Sequence, residues 1–130
     1  MRNLVHAALI AGLVAATPAT AAKLTPEEQL AKLTAGRTAG KPVNCIGQIQ
    51  STESQKIRGL AMAFRQGTTW YVNRFRGDCP SLSDDTIVVT KSTLSQMCRG
   101  DIVDLRTAYP PMPVGSCVFD SFTPYTLNKQ

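Results

Sequence analysis

The chain has 130 residues, enough for one domain, with 14 basic and 9 acidic residues. Its only histidine, His6, lies in an N-terminal segment that has the features of an export signal. A mature chain without that segment has no histidine, which excludes Ser-His-Asp and Cys-His nucleophiles and histidine-based zinc sites.

Residues 1–21 have the layout of a cleaved signal peptide. A basic residue, Arg2, precedes an apolar run over residues 4–16, and small residues follow with an A-x-A pattern at 19–21. The apolar run is too short to span a bilayer comfortably. We therefore predict cleavage after Ala21, a periplasmic or secreted protein, and no transmembrane segment in the mature chain.

The charge that remains after cleavage gives little indication of a partner. Loss of Arg2 leaves 13 basic against 9 acidic residues, a net charge of +4. This balance weakly favours anionic surfaces, but the basic residues are scattered, as is typical of ordinary solubilising charge. We expect no nucleic-acid partner.

Residues 22–42 are predicted to hold a short helix and a linker. Thr25 is a good N-cap, Pro26 suits the first helical position, and Glu28 completes a capping box. The helix should run for about ten residues, roughly three turns. Gly36 ends it, and the rest of this segment is predicted to be a loop. The leucines spaced to share one helix face are Leu24, Leu30 and Leu33.

Residues 43–126 are predicted to form a β domain made of short strands and turns. The first strand covers residues 43–50, with Val43, Cys45 and Ile49 on one face, and residues 57–75 form a hairpin. Further strands are expected at 86–90, 101–107 and 116–122, with a proline-rich loop at 109–113. About six strands in this length predict a small antiparallel barrel or sandwich.

Four cysteines remain after cleavage, and an even number in a small exported domain indicates two disulfides. Their spacings of 34, 19 and 19 residues do not suit a zinc site. A small barrel closes by joining its first and last strands, which predicts a Cys45–Cys117 pair. Cys79 and Cys98 flank the 86–90 strand and form the second predicted pair. The main rival joins Cys45 to Cys79 and Cys98 to Cys117.

The tripeptide Arg-Gly-Asp occurs twice, at 76–78 and at 99–101, and each copy lies beside a cysteine. Glycine tolerates positive φ and aspartate bonds nearby backbone, so Gly-Asp is common in turns. Adhesion recognition would need the tripeptide at the tip of a projecting loop, and the sequence shows no such loop. We predict two turns anchored by disulfides.

Four stretches together resemble a family of small exported proteobacterial proteins of uncharacterised function. They read "NCIGQI", "YVNRFRGDCPSL", "MCRGDIVDL" and "CVFDSFTPY", and the similarity spans Cys45–Pro124. The family pattern is a Cys-Ile start, an Asn before a Cys-Pro-x-Leu turn, a Cys-x-Gly-Asp turn, and a final Cys before Phe-x-Pro. The resemblance implies export and two disulfides, and it implies no particular activity.

The segment "TWYVNRF" is the best candidate for a ligand site. Strand alternation places Trp70 on one face and Tyr71 and Asn73 on the other. Either the strand is central and buried on both sides, which we favour for Trp70, or one face is an exposed aromatic patch. Aromatic, amide and cationic groups close together can stack on and hydrogen-bond a polar ligand. We therefore predict that Tyr71, Asn73 and Arg74 border a ligand site.

Carboxylate pairs are the remaining route to acid–base catalysis. Asp84 and Asp85 are adjacent and point apart on an extended chain, and Asp101 and Asp104 fall on opposite faces of a strand. The sequence thus predicts no catalytic residue, metal or cofactor. We expect a monomeric, non-catalytic binding or envelope-associated module whose partner is an envelope component or a secreted protein. The alternative is a histidine-independent enzyme that uses Asp, Arg or Tyr side chains.

Overall fold

The computed structural model describes residues 12–18, 20–92 and 94–129. Residues 1–11 of the predicted signal peptide, with His6, and Ala19 of its cleavage site lie outside the described residues. The described residues form one helix and ten strands, which are α1 (Pro26–Thr34), β1 (Arg37–Ala39), β2 (Cys45–Gly47), β3 (Glu53–Ile57), β4 (Ala61–Gln66), β5 (Thr69–Asn73), β6 (Ile87–Thr90), β7 (Gln96–Cys98), β8 (Ile102–Arg106), β9 (Pro113–Val118) and β10 (Phe122–Leu127).

The strands form three antiparallel sheets. The central sheet has five strands in the order β1-β10-β5-β4-β3, the outer sheet has the order β6-β8-β9, and β2 pairs with β7 as a two-stranded ribbon. The outer sheet and the ribbon pack on one face of the central sheet, and α1 packs on the other. The mainly β, antiparallel fold with a short N-terminal helix is confirmed. It is sandwich-like, and no sheet of the described strands closes into a barrel.

The helix begins and ends where the sequence predicts. The Oγ1 of Thr25 accepts a hydrogen bond from the backbone N–H of Glu28 at 3.2 Å, and Glu28 Oε2 accepts from the N–H of Thr25 at 2.8 Å. This reciprocal pair is the predicted capping box. Gly36, with φ +69°, follows the helix in the left-handed region. Leu30 is the buried residue of α1 and anchors the helix on the central sheet.

The predicted hairpin is formed by β4 and β5. Met62 and Phe64 point toward the outer sheet, whereas Ala61 and Ala63 point toward α1. The turn between the strands contains Gly67 at φ +60°. Because the alanines lack bulk, the helix can lie close to the sheet, while the larger side chains fill the space between the sheets.

An aromatic cluster fills the space between the central sheet and the outer sheet. Phe119 is fully buried. Its ring stacks on Phe75 with centroids 5.6 Å apart and lies 5.3 Å from Phe122 and 6.1 Å from Phe64. These rings join β4, β10 and the segments after β5 and β9 into one core.

The first predicted strand and the predicted linker loop both differ from the structure. Ile46 is the buried residue of β2, whereas Val43 and Ile49 are exposed. The ribbon is only three residue pairs long. Val43 lies just before it and pairs with Phe122 of the central sheet instead. Within the predicted loop, Arg37–Ala39 forms β1 and pairs with β10.

The predicted last strand, 116–122, is two strands. β9 belongs to the outer sheet and β10 to the central sheet, so the chain changes sheets at Asp120 and Ser121. The strand count rises from about six to ten partly for this reason. Strand alternation alone does not reveal a change of sheet, because the side chains on both sides of the break are strand-forming.

Both predicted disulfide pairs are wrong. The structure joins Cys45 to Cys98 and Cys79 to Cys117, which is neither the prediction nor its rival. Cys45 and Cys98 lie directly opposite each other on the ribbon, with Cα atoms 4.0 Å apart. The prediction assumed a closed barrel in which the strands carrying the first and last cysteines meet. In the sandwich the strand of Cys45 pairs with β7 instead, so Cys45 bonds to Cys98 and Cys117 of β9 bonds to Cys79.

Candidate functional site

Asn73, one of the three predicted ligand residues, is fully buried at the end of β5. Its amide nitrogen donates to the carbonyl of Asp120 at 2.6 Å. Its Oδ1 accepts from the backbone N–H groups of Phe75 at 3.0 Å and of Asp120 at 3.1 Å. All these partners are backbone groups, so Asn73 ties the end of β5 to the segment where the chain changes sheets.

Tyr71 and Arg74 lie apart from each other. Tyr71 is half-buried against the aromatic cluster, and Arg74 is exposed just beyond β5. Arg74 borders a cavity of about 210 Å³ that Tyr71 and Asn73 do not line. β5 is central and Trp70 is buried, as favoured from the sequence. The three residues share no cavity, and their role in ligand binding stays a prediction.

A groove of about 600 Å³ lies beside α1. It runs along the side of the helix toward β3, the turn after β3 and the loop before β6. We call it the helix groove, and its lining residues are Lys23, Leu24, Gln29, Lys32, Leu33, Gln55, Arg58 and Asp84. It carries three cationic side chains and one carboxylate.

Asp84 is the electrostatic centre of the helix groove. Its Oδ2 lies 3.0 Å from Lys23 Nζ and 3.9 Å from Arg58 Nε. The hydrogen bond from Lys23 holds the pKa of Asp84 below its ordinary value of 3.8, and the positive charges of Lys23, Arg58 and Lys56 act in the same direction. The carboxylate is therefore ionised at neutral pH and holds two of the three lining cations.

Lys32 is the third cation of the helix groove, in the last turn of α1. It makes no ion pair within the part of the chain that the structure describes. The apolar side of the groove is formed by Leu24, which is 42% exposed, and by the partly buried Leu33. A ligand in this groove would meet positive charge and exposed hydrocarbon side by side.

Hydrogen bonds to backbone carbonyls hold the segments around the groove together. Lys56 Nζ donates to the carbonyl of Asp84 at 2.8 Å and to that of Thr86 at 2.6 Å. Gln29 of α1 reaches the carbonyl of Lys56 at 3.4 Å. One lysine thus links β3 to the loop before β6, and the helix is tied to β3 as well.

The carboxylates considered for catalysis do not come together. Asp101 Oδ2 accepts a hydrogen bond from the backbone N–H of Cys98 at 2.8 Å. Asp104 lies 2.9 Å from Lys91, and the hydrogen bond from Lys91 lowers its pKa, with help from the charge of Arg106. Among the described residues, no three side chains of the histidine, cysteine, aspartate or glutamate type are grouped as a metal site requires.

Both Arg-Gly-Asp copies form the predicted turns. Gly77 and Gly100 have φ values of +72° and +93°, which only glycine adopts readily. Each turn lies beside a disulfide cysteine, Cys79 in one case and Cys98 in the other. These anchors hold the turns close to the body of the domain.

The helix groove is the site that sequence reasoning missed. The signals in the sequence were Lys32 beside Leu33 on a capped helix and Lys23 shortly before the helix begins. Arg58 and Asp84 belong to distant segments without any motif. Only the packing of α1 beside the end of the central sheet brings them together with Lys23 and Lys32 in one groove.

Compared with known proteins, the chain matches no family model, no curated protein and no solved structure. Its resemblance to the small exported proteobacterial family therefore stays a prediction. Among the described residues, no helix has the length and apolarity needed to cross a bilayer. The two disulfides are typical of a protein of an oxidising compartment.

Proposed function

We propose that this chain is an exported, non-catalytic binding module that holds small amphipathic anions in the helix groove. The observation that carries the proposal is the lining of that groove, where Lys23 and Arg58 lie beside the carboxylate of Asp84 and Lys32 adds a third positive charge next to Leu24 and Leu33. A suitable ligand has an anionic head and a short hydrocarbon chain. Fatty carboxylates and alkyl phosphates of the bacterial envelope have this chemistry.

The charges of the groove suit an anionic head group. Asp84 already holds Lys23 and Arg58 close to one point, so a ligand phosphate or carboxylate placed nearby would meet both of them. Lys32 has no anion of its own among the described residues and would gain one from the ligand. Hydrogen bonds between charged partners are roughly twice as strong as neutral ones.

The size and the apolar side of the groove suit a short chain rather than a long one. A groove of about 600 Å³ falls in the range of roughly 300–1,000 Å³ that small-molecule sites occupy. Leu24 and Leu33 supply the hydrocarbon contact, and each methylene they shield contributes about 0.8 kcal/mol. Because Leu24 is half exposed in this structure, a bound chain would also cover it.

The carboxylates favour binding over catalysis. A general acid at neutral pH needs a raised pKa, as in a carboxyl buried in an apolar pocket. Asp84 and Asp104 have lowered pKa values because lysines donate hydrogen bonds to them. An enzyme that used Asp84 or Asp104 as its general acid would need the pKa of that carboxyl shifted in the other direction.

Titration calorimetry with octyl phosphate tests the proposal. We expect binding of octyl phosphate and much weaker binding of inorganic phosphate and of octanol, because each of these probes offers only half of the contacts. Lys32→Glu and Arg58→Glu should each weaken octyl phosphate binding at least tenfold, or about 1.4 kcal/mol. Lys41→Glu is the matched control, since it makes the same charge change on an exposed residue outside the groove.

Two results would overturn the proposal. One is an affinity for octyl phosphate no higher than that for octanol and inorganic phosphate. The other is an equal loss of affinity in Lys32→Glu and Lys41→Glu, which would show that net charge alone attracts the probe. Export is tested separately by the intact mass of protein recovered from the periplasm or medium, which we expect to lack residues 1–21.

A further inference from the structure

The outward face of the outer sheet carries exposed β-branched residues around a charged centre. In β8, Val103 and Leu105 are fully buried, so alternation turns Ile102, Asp104 and Arg106 outward. Ile102 is 54% exposed, and Ile87 of β6, opposite Arg106, is 45% exposed. We call this surface the outer face. Its other apolar members are Val89, Val114 and Val118.

One end of the outer face, at the last residue of β8, contains a donor without an acceptor. The Nε of Arg106 is buried and has no hydrogen-bond partner among the described residues. Leaving a charged donor desolvated and unpaired is costly, so such groups are normally satisfied. Asp104, two residues away on the same strand, pairs with Lys91 at 2.9 Å and keeps 22% side-chain exposure, so one side of its carboxylate stays open.

We propose that the outer face binds a second copy of this chain. Asp104 and Arg106 lie about 7 Å apart along the strand and carry opposite charges, so the face is complementary to itself. A two-fold axis passing near Leu105 would set Asp104 of one chain opposite Arg106 of the other. The partner's carboxylate would then lie beside the guanidinium of Arg106, while Ile87 and Ile102 lose contact with water. This inference is independent of the helix groove and differs from the expectation of a monomer.

The size of the outer face sets the expected strength of the dimer. Three short strands offer less than the roughly 800 Å² per partner of a standard interface. We therefore expect a dissociation constant in the micromolar range or weaker, with apolar contact supplying most of the affinity and the charges fixing the orientation.

Sedimentation velocity between about 1 and 500 µM, with the purified full-length protein or its secreted form, tests the dimer. Ile102→Lys should raise the dissociation constant at least tenfold. Ile49→Lys is the matched control, because Ile49 is 80% exposed and lies off the outer face. Circular dichroism confirms that each variant is folded, which both exposed sites should allow.

A charge exchange tests the orientation. Asp104→Arg alone and Arg106→Asp alone place like charges opposite each other across the two-fold axis, and we expect both to dissociate the dimer. The double variant restores opposite charges and should recover most of the affinity. A monomer at every concentration, a dimer indifferent to Ile102→Lys, or a double variant no tighter than either single variant would each overturn the proposal.

Discussion

The two faces of the central sheet are packed in opposite ways. Toward the outer sheet, β4 presents Met62 and Phe64 to an aromatic cluster, and both disulfides lie in the strands and loops on that side. Toward α1, the same strand presents Ala61 and Ala63, and the helix is held by packing and hydrogen bonds alone. The layer on one face is thus bulky and crosslinked within itself, and the layer on the other face is close-fitting and carries no crosslink among the described residues.

This difference separates stability from binding. The aromatic face supplies most of the buried side-chain volume, whereas the helix face bears the helix groove. A layer held only by noncovalent contacts can shift to admit a ligand at lower free-energy cost than a layer crosslinked through its core. We therefore expect changes on the aromatic side to alter global unfolding, and changes on the helix side to alter local opening.

Removing the buried disulfide should have the largest effect. Cys79 and Cys117 close a loop with a sequence separation of 38, worth about 4 kcal/mol of chain entropy, and both side chains are buried. Replacing both with alanine also leaves a cavity in the core. The Cys45→Ala, Cys98→Ala variant loses a similar entropy but no core volume, because Cys45 is exposed. Equal losses in guanidinium unfolding would contradict this ranking.

Phe119→Ala should come next and sharpens the comparison of the two faces. Truncating a fully buried phenylalanine costs about 3–5 kcal/mol, and Phe119 contacts three other rings. Leu30→Ala, the matching change on the helix face, should cost about 2 kcal/mol, at the low end for buried leucine, because α1 can undock without unfolding the sheets. Urea denaturation measures the free energy of unfolding of both variants. A larger loss of stability for Leu30→Ala than for Phe119→Ala would show that the helix layer, and not the aromatic core, dominates global stability.

Thr25→Ala should have a smaller and more local effect. It removes one half of the capping box, which typically costs about 1 kcal/mol. Hydrogen exchange should become faster for the amides of α1 and stay unchanged for those of β8 in the outer sheet. Thr25→Ser keeps the acceptor and should restore slow exchange. Faster exchange in both layers would mean that the helix is not separable.

The smallest effect should be the pH dependence of Asp84. Its pKa is lowered in the folded chain because Lys23 donates a hydrogen bond to it, so its contribution is present above the ordinary value of 3.8 and is lost as pH falls through the lowered value. Asp84→Asn should lower the urea midpoint at pH 7 but not after full protonation in acid. Asp85→Asn is the control, and an equal pH response in both variants would assign the effect to general charge.

Local signals in the sequence predicted the elements that depend on local chemistry. The capping box at Thr25, the hairpin around Gly67 and the strand within 101–107 follow from neighbouring residues alone. The strands that were missed depend on distant partners. Arg37 of β1, for example, pairs with Leu127 of β10, and no local pattern in three residues indicates such a pairing.

The pairing of the cysteines and the role of Asn73 also depend on segments that are distant in the sequence. Cys45 faces Cys98 because β2 and β7 form a ribbon outside both larger sheets, an arrangement that strand patterns do not encode. Asn73 looked like a ligand residue because amides bind ligands, but its partners are backbone groups brought to it where the chain changes sheets. In both cases a side chain's role is decided by segments far away in sequence.

The cysteines leave the ribosome in an order that differs from the order in which they are joined. Cys45 and Cys79 emerge first, yet the folded structure pairs Cys45 with Cys98 and Cys79 with Cys117, so the two crosslinks interleave. Oxidation of each cysteine with the next one to appear would lock the N-terminal half into a bond that the native fold never contains. The yield of correctly matured protein therefore depends on thiol–disulfide exchange, or on keeping Cys45 reduced until β7 has been made.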